Sequence, residues 1–201
     1  MSTSHADKLL RLAQGQPAIS AREVSAAGVP SRALSRMAGS GQLRRVGRGL
    51  YTGNEASPSV HQSVIEVTKQ APKAVVCLLS ALEIHEVGVQ APFEVWIALP
   101  AGTHAPRGTA AAIRVTRLSG AAFSEGIQTV MLDCAAVRVY NLAKTITDCF
   151  KLRSKVGIDV ALEALREAWK ARKVTMDDLS RYAKVNRMSN VMRPYLEALT
   201  G

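Results

Sequence analysis

An α+β protein in two parts is what this sequence predicts, and three observations predict it. The chain has 201 residues, 47% of them hydrophobic, enough for one large domain or two small ones, each with a core. Its charge is uneven. Residues 1–53 hold eight basic side chains against two acidic, a surplus of six, so the rest of the chain carries only the remaining four of the net +10. The apolar periodicity also changes along the chain, from short helices and a Gly-punctuated hairpin, through a run of strands, to continuous helix after Asn141.

In the first part, Leu9, Leu10, Leu12 and Ala13 fall at helical spacing after His5, and Gly15 is placed to stop that helix. Ile19 starts a short extended piece. Ser20 and Glu23 fit a capping box, in which the hydroxyl accepts from a free N–H and the carboxylate reaches back to the cap. The helix so opened points Val24 inward and ends at Gly28. Val29-Pro30 turns the chain, and Ser31 is expected to cap a third helix reaching about Gly39, with Ala33, Leu34, Met37 and Ala38 as its apolar stripe. Ser31, Arg32, Ser35 and Arg36 are left facing outward. Two short strands, 43–46 and 50–52, joined by Gly47-Arg48-Gly49, then read as a tight hairpin with Leu43, Val46, Leu50 and Tyr51 inward. Three helices followed by a two-stranded hairpin predict a winged helix-turn-helix over residues 1–53.

The polar, proline-containing stretch 54–59 marks the boundary, and Ser57-Pro58 is expected to open a helix with Val60, Val64 and Val67 on one face. Residues 54–201 then form the second domain, a mixed α/β domain with a helical C-terminal part. Residues 75–79 read as a buried strand, Ser80 as the cap of a short helix, and 94–99, 113–118, 127–134 and 137–140 as further strands. Helices follow, with Leu142, Ile146, Cys149 and Phe150 lining the first, residues 158–169 forming the second, Thr175 capping the third, and the fourth carrying Pro194 in its interior.

The chemistry these residues suggest is nucleic-acid binding. A pI near 10.0 favours an anionic partner. On the third helix, Arg32 or Arg36 suits guanine O6 and N7 in a major groove, with Ser31 and Ser35 donating to base or phosphate. On the hairpin, Arg44, Arg45 and Arg48 suit the flanking backbone or minor groove. In the second domain the spacing brings Asp148 near Lys151, and Lys155 near Asp159, for helix-face ion pairs; with Arg153 they make either a solvated face or a partner surface.

No enzyme is expected. His5, His61, His85 and His104 are scattered, and nucleotide-loop, acyl-nucleophile and zinc motifs are missing, so no metal or other cofactor is implied. Glu94-Val-Trp and Asp133-Cys-Ala lack the lysine that a metal-dependent nuclease needs. Cys77, Cys134 and Cys149, odd in number and far apart, read as buried free thiols in a reducing compartment. With neither a signal-like apolar region at the N-terminus nor a run long enough for a membrane span, a cytoplasmic protein is expected.

With these elements in place, the sequence resembles the AbiEi family, the antitoxins of the bacterial AbiE type IV toxin-antitoxin systems. The resemblance rests on Gly28-Val-Pro, the helix around Leu34, the wing Gly41-Gln-Leu-Arg-Arg-Val-Gly-Arg-Gly-Leu-Tyr51, Leu79-Ser-Ala-Leu82 with His85 and Gly88, and the long stretch from Asp148 to Arg166. It implies a winged domain that represses its own operon by binding double-stranded DNA at inverted repeats. It further implies a C-terminal domain that counteracts a nucleotidyltransferase-like toxin without forming a stable complex. The alternative is a stand-alone regulator whose second domain senses a signal or contacts a protein.

Overall fold

The structure, a computed structural model, describes residues 4–14, 16–53, 59–88 and 92–199. It is an α+β protein. Its elements in order are α1 (His5–Ala13), β1 (Ile19–Ser20), α2 (Ala21–Ala26), α3 (Ser31–Gly39), β2 (Leu43–Gly47), β3 (Leu50–Gly53), α4 (Gln62–Gln70), β4 (Val75–Val76), α5 (Leu78–Ile84), β5 (Val95–Pro100), β6 (Ile113–Leu118), α6 (Ala121–Ser124), β7 (Ile127–Leu132), β8 (Ala135–Tyr140), α7 (Leu142–Lys151), α8 (Arg153–Val156), α9 (Ile158–Lys170), α10 (Met176–Val185) and α11 (Ser189–Glu197). Two compact units result. One comprises Met1–Lys73 with His104–Ile113 and Val130–Val137; the other takes Ala74–Thr103, Arg114–Thr129 and Arg138–Gly201.

In the first unit α1, α2 and α3 enclose a core of Leu9, Ala13, Ile19, Val24, Val29, Ala33, Leu34, Met37 and Leu43. β3 lies between β1 and β2, antiparallel to both. Side chains alternate across a strand, so Leu50 and Thr52, both buried, point to the face opposite Tyr51. The contacts of α4 with β1 and β3, and its buried Val64, Ile65 and Val67, cover that second face. This is why the unit runs to Lys73 rather than stopping near Gly53. A sheet with two apolar faces cannot be closed by the helices on one side.

A five-stranded sheet has the order β6-β5-β4-β8-β7, with β4 antiparallel to β5 and parallel to β8; β4, β5, most of β6 and the 127–129 and 138–140 parts of β7 and β8 belong to the second unit. Helix α7 runs through the core: every residue from Leu142 to Phe150 is buried, and α5, α9 and α10 pack around it. The Asn141 side chain caps it by accepting from the Lys144 N–H at 2.9 Å. Two polar side chains inside it satisfy each other. The Lys144 Nζ lies 2.6 Å from both carboxylate oxygens of Asp148, and the Asn186 amide donates to Asp148 Oδ1 at 2.7 Å and to Thr147 Oγ1 at 2.9 Å.

Several local expectations need correcting. Pro30, not Ser31, is the N-cap of α3, so Ser31 sits in the first turn with its hydroxyl free of a capping role. α4 starts at Gln62, leaving Val60 exposed; Ser57 and Pro58 lie outside the described residues, as does Gly15. The apolar run at 75–79 is strand only at Val75–Val76, because α5 begins at Leu78. Ser80 is therefore inside α5, where its hydroxyl accepts from the Trp96 N–H at 3.0 Å, instead of capping the helix. Of the three thiols, Cys77 and Cys149 are buried, but Cys134 is exposed.

Candidate nucleic-acid interface

Helix α3 is two-faced by sequence spacing. Ala33, Leu34 and Met37 are buried, which turns Ser31, Arg32, Ser35 and Arg36 to the exposed side. Arg32 and Arg36 are one turn apart, as are Ser31 and Ser35, so the face presents two cations beside two hydroxyls. The turn that delivers α3 is fixed from the α2 side: the Ser20 N–H donates to Glu23 Oε2 at 2.7 Å and the Glu23 N–H to Ser20 Oγ at 3.2 Å, the expected capping box. Gly28, at φ 73°, then allows Val29 to fold back, its N–H donating to the Val24 carbonyl at 3.1 Å.

The hairpin holds Arg44, Arg45 and Arg48, all exposed. Pairing passes from Arg45↔Tyr51 to Gly47↔Leu50, so Val46 is the extra residue of a bulge and is half-exposed instead of inward. The tip is the two residues Arg48-Gly49, with Gly49 at φ 70°. Arg45 is committed to the hairpin itself, its Nε donating to the Gly47 carbonyl at 3.2 Å across the bulge. Arg44 and Arg48 carry no such bond. Among the described residues none of Arg32, Arg36, Arg44, Arg45 and Arg48 forms an ion pair.

One positioning residue gave no signal in the sequence. Lys69, near the end of α4, is largely buried, and its Nζ reaches Ala18 O at 2.6 Å, Gln16 Oε1 at 2.9 Å and Glu23 Oε1 at 2.8 Å. Burial raises the Glu23 pKa, but the hydrogen bonds from Lys69 and Ser20 outweigh it and hold the carboxyl below its ordinary value. A lysine at a helix end usually points to water, and nothing in its spacing distinguishes this one.

The five residues of the second expected surface fare differently. Asp148 is buried in α7 and ion-paired with Lys144, so it faces no partner, and Lys151 reaches it only through its charge, without an ion pair. Burial raises its pKa, with Lys144 and Asn186 acting against the rise, while burial lowers that of Lys144. Lys155 is in the last turn of α8 and Asp159 in the first turn of α9, with Gly157 at φ 91° breaking the helix between them, so the four-residue spacing places them on no common helix face. Lys151 is half-buried, and Arg153, Lys155 and Asp159 are exposed. Among the described residues, no group of three or more His, Cys, Asp or Glu side chains could hold a metal ion, and no helix is long and apolar enough to cross a membrane.

Residues 7–52 match the family model described as "Transcriptional regulator, AbiEi antitoxin". Over that stretch the sequence is similar to the AbiEi family. The AbiEi match spans α1 to β3, the segment that carries both arginine-bearing elements, and stops short of α4. No curated protein matches the chain. Among solved structures the fold is similar to that of the RV2827C protein from Mycobacterium tuberculosis, with a TM-score of 0.58 at 13% identity, over 92% of this chain and 72% of that one. At that identity the likeness is one of fold.

Proposed function

We propose that the first unit is a winged helix-turn-helix that binds double-stranded DNA, α3 entering the major groove and the β2–β3 hairpin holding the flanking backbone, and that the protein represses its own operon. The observation that carries this reading is the shared exposure of Ser31, Arg32, Ser35 and Arg36 on α3 and of Arg44 and Arg48 on the hairpin, without a carboxylate partner among the described residues, inside the AbiEi-matched segment. Cations left unpaired on two adjoining elements are what a phosphate backbone neutralises. Arg45 has the different task of bracing the bulge. The regulator works in the cytoplasm on inverted repeats upstream of its gene, without a cofactor and without catalysis of its own. Its second unit counteracts a nucleotidyltransferase-like toxin without a stable complex, and the exposed Arg153, Lys155 and Asp159 are its candidate working surface.

The test is binding to the DNA upstream of the gene across a salt series. Each arginine that neutralises one phosphate contributes about 0.9 to the slope of log affinity against log salt. Arg44→Ala with Arg48→Ala should lower the slope by about 1.8 per bound copy. An unchanged slope overturns the wing assignment. A second reading, the stand-alone regulator, is favoured by the AbiEi match at residues 7–52 falling within the first unit. Co-expression with a neighbouring nucleotidyltransferase separates the two: rescue of growth supports the antitoxin, and persistent arrest supports the regulator alone.

A further inference from the structure

We propose that the second unit carries a binding cleft for a small organic phosphate, a phosphoryl group joined to a ring-sized apolar moiety. The cleft measures about 590 Å³ and is lined by Lys151, Arg153, Ser154, Ile158, Val191 and Tyr195, from the end of α7, from α8, from the start of α9 and from α11. That volume is in the range of small-molecule sites. Its polar wall is two cations and a hydroxyl, with no carboxylate in the lining.

Lys151 makes the argument. It is half-buried, and among the described residues its ammonium has neither a hydrogen bond nor an ion pair. With no carboxylate in the lining to offset Lys151 and Arg153, the cleft wall is net positive, and an anion seated there is attracted to both cations. Arg153 donates one N–H, from Nη1, to the Phe150 carbonyl at 3.0 Å, which orients the guanidinium while leaving it further donors. Ser154 adds a hydroxyl beside them. Three donor residues in one lining, two of them charged, match the three oxygens and near-double charge of a phosphoryl group better than a carboxylate.

The opposite wall asks for apolar surface. Ile158 and Tyr195 are half-buried, Val191 is 37% exposed, and the Tyr195 ring rests on Phe150 with centroids 5.4 Å apart. An inorganic ion would leave this wall wet. A long polyanion is disfavoured by the acidic Asp159 that follows Ile158 in α9. The cleft shares no residue with the α3 and hairpin surface and only Arg153 with the surface proposed to counteract the toxin, so a test at Lys151 can fail without touching either reading.

Phenyl phosphate, inorganic phosphate and benzyl alcohol, each titrated into the full ¹⁵N-labelled chain, test the proposal by amide shifts. Phenyl phosphate should move the amides of Lys151, Ser154 and Val191 and bind about tenfold more tightly than inorganic phosphate, the factor that covering half of a ring supplies. Benzyl alcohol should leave them in place. Lys151→Met should weaken phenyl phosphate binding at least about tenfold, and Lys151→Arg should retain it. Four results would each overturn the proposal: no shift at these amides, shifts confined to α3 and the hairpin, equal affinity for phosphate and phenyl phosphate, or undiminished binding by Lys151→Met.

Discussion

Removing one partner of the Lys144–Asp148 pair at a time should destabilise the second unit with opposite pH dependence. Both side chains are almost fully buried, at 0% and 2% exposure, and each carboxylate oxygen is 2.6 Å from the ammonium. In Asp148→Leu the lysine is stranded beside the Tyr140 ring, 4.3 Å from its centroid. It escapes by losing its proton, which from an ordinary pKa of 10.5 costs about 4.8 kcal/mol at pH 7, at about 1.36 kcal/mol per unit. In Lys144→Met the aspartate must instead gain a proton, from 3.8, for about 4.4 kcal/mol. These figures cap the cost of each variant and agree with the roughly 3–5 kcal/mol for breaking a buried pair. The deficit of Asp148→Leu should shrink as pH rises, because the folded state then releases a proton more readily than the unfolded chain. That of Lys144→Met should shrink as pH falls, by up to about 2.7 kcal/mol between pH 7 and 5. The double variant, with no charge left to bury, should recover most of the loss. Urea unfolding followed by tryptophan fluorescence reads this directly, since both tryptophans of the chain, Trp96 and Trp169, are in the second unit. Single variants costing under about 1 kcal/mol, or parallel pH slopes, would refute the account.

Gly126→Ala should destabilise the same unit by about 2–4 kcal/mol, since Gly126 has φ 76° and a Cβ there would lie 2.8 Å from the Lys144 Cβ; urea unfolding checks it. His85, whose Nε2 lies 2.8 Å from the Tyr140 carbonyl, has its pKa lowered from 6.5, chiefly by burial, with the carbonyl bond opposing and Lys173 assisting. Its stabilising contribution is complete above about pH 6.5 and is lost as pH falls through the lower folded value, so thermal midpoints should drop below pH 6.5 in the wild type and drop less in His85→Gln.

Short-range rules made the first unit legible. The capping box at Ser20 and Glu23, the outward arginines of α3 and the Gly-punctuated hairpin all follow from spacings of four residues or fewer, and the structure has each of them. What failed needed knowledge of the other side of an element. The alternation in β3 gives two faces but not what covers the second, and the contacts of α4 with β1 and β3 lie beyond the reach of that pattern. Spacing along α7 showed Asp148 three residues from Lys151 without showing that α5, α9 and α10 surround that helix on all sides. Charge on an apolar helix does not reveal its side from the sequence, because a buried ion pair leaves the same letters there as an exposed one. The Lys155–Asp159 spacing failed for a local reason, the positive φ of Gly157, which helical periodicity alone does not register.

The covering helix also bears on the proposed function. Lys69 joins α4 to the capping box of α2, and α2 packs against α3, so the pose of the arginine face depends on a residue outside the AbiEi-matched stretch. Lys69→Met keeps the apolar stem and removes the donors to Gln16, Ala18 and Glu23, leaving a buried carbonyl unpaired and the Glu23 carboxylate without its cation. The first unit should lose about 1–3 kcal/mol, seen as faster amide exchange at Val24 and Val29. DNA affinity should fall about tenfold through the displaced α3, because small errors of docking angle cost contacts along a whole face. The salt slope should stay unchanged, since Lys69 itself meets no phosphate. A lowered slope would make Lys69 a phosphate contact, and unaltered affinity with faster exchange would confine it to stability; either result separates positioning from contact.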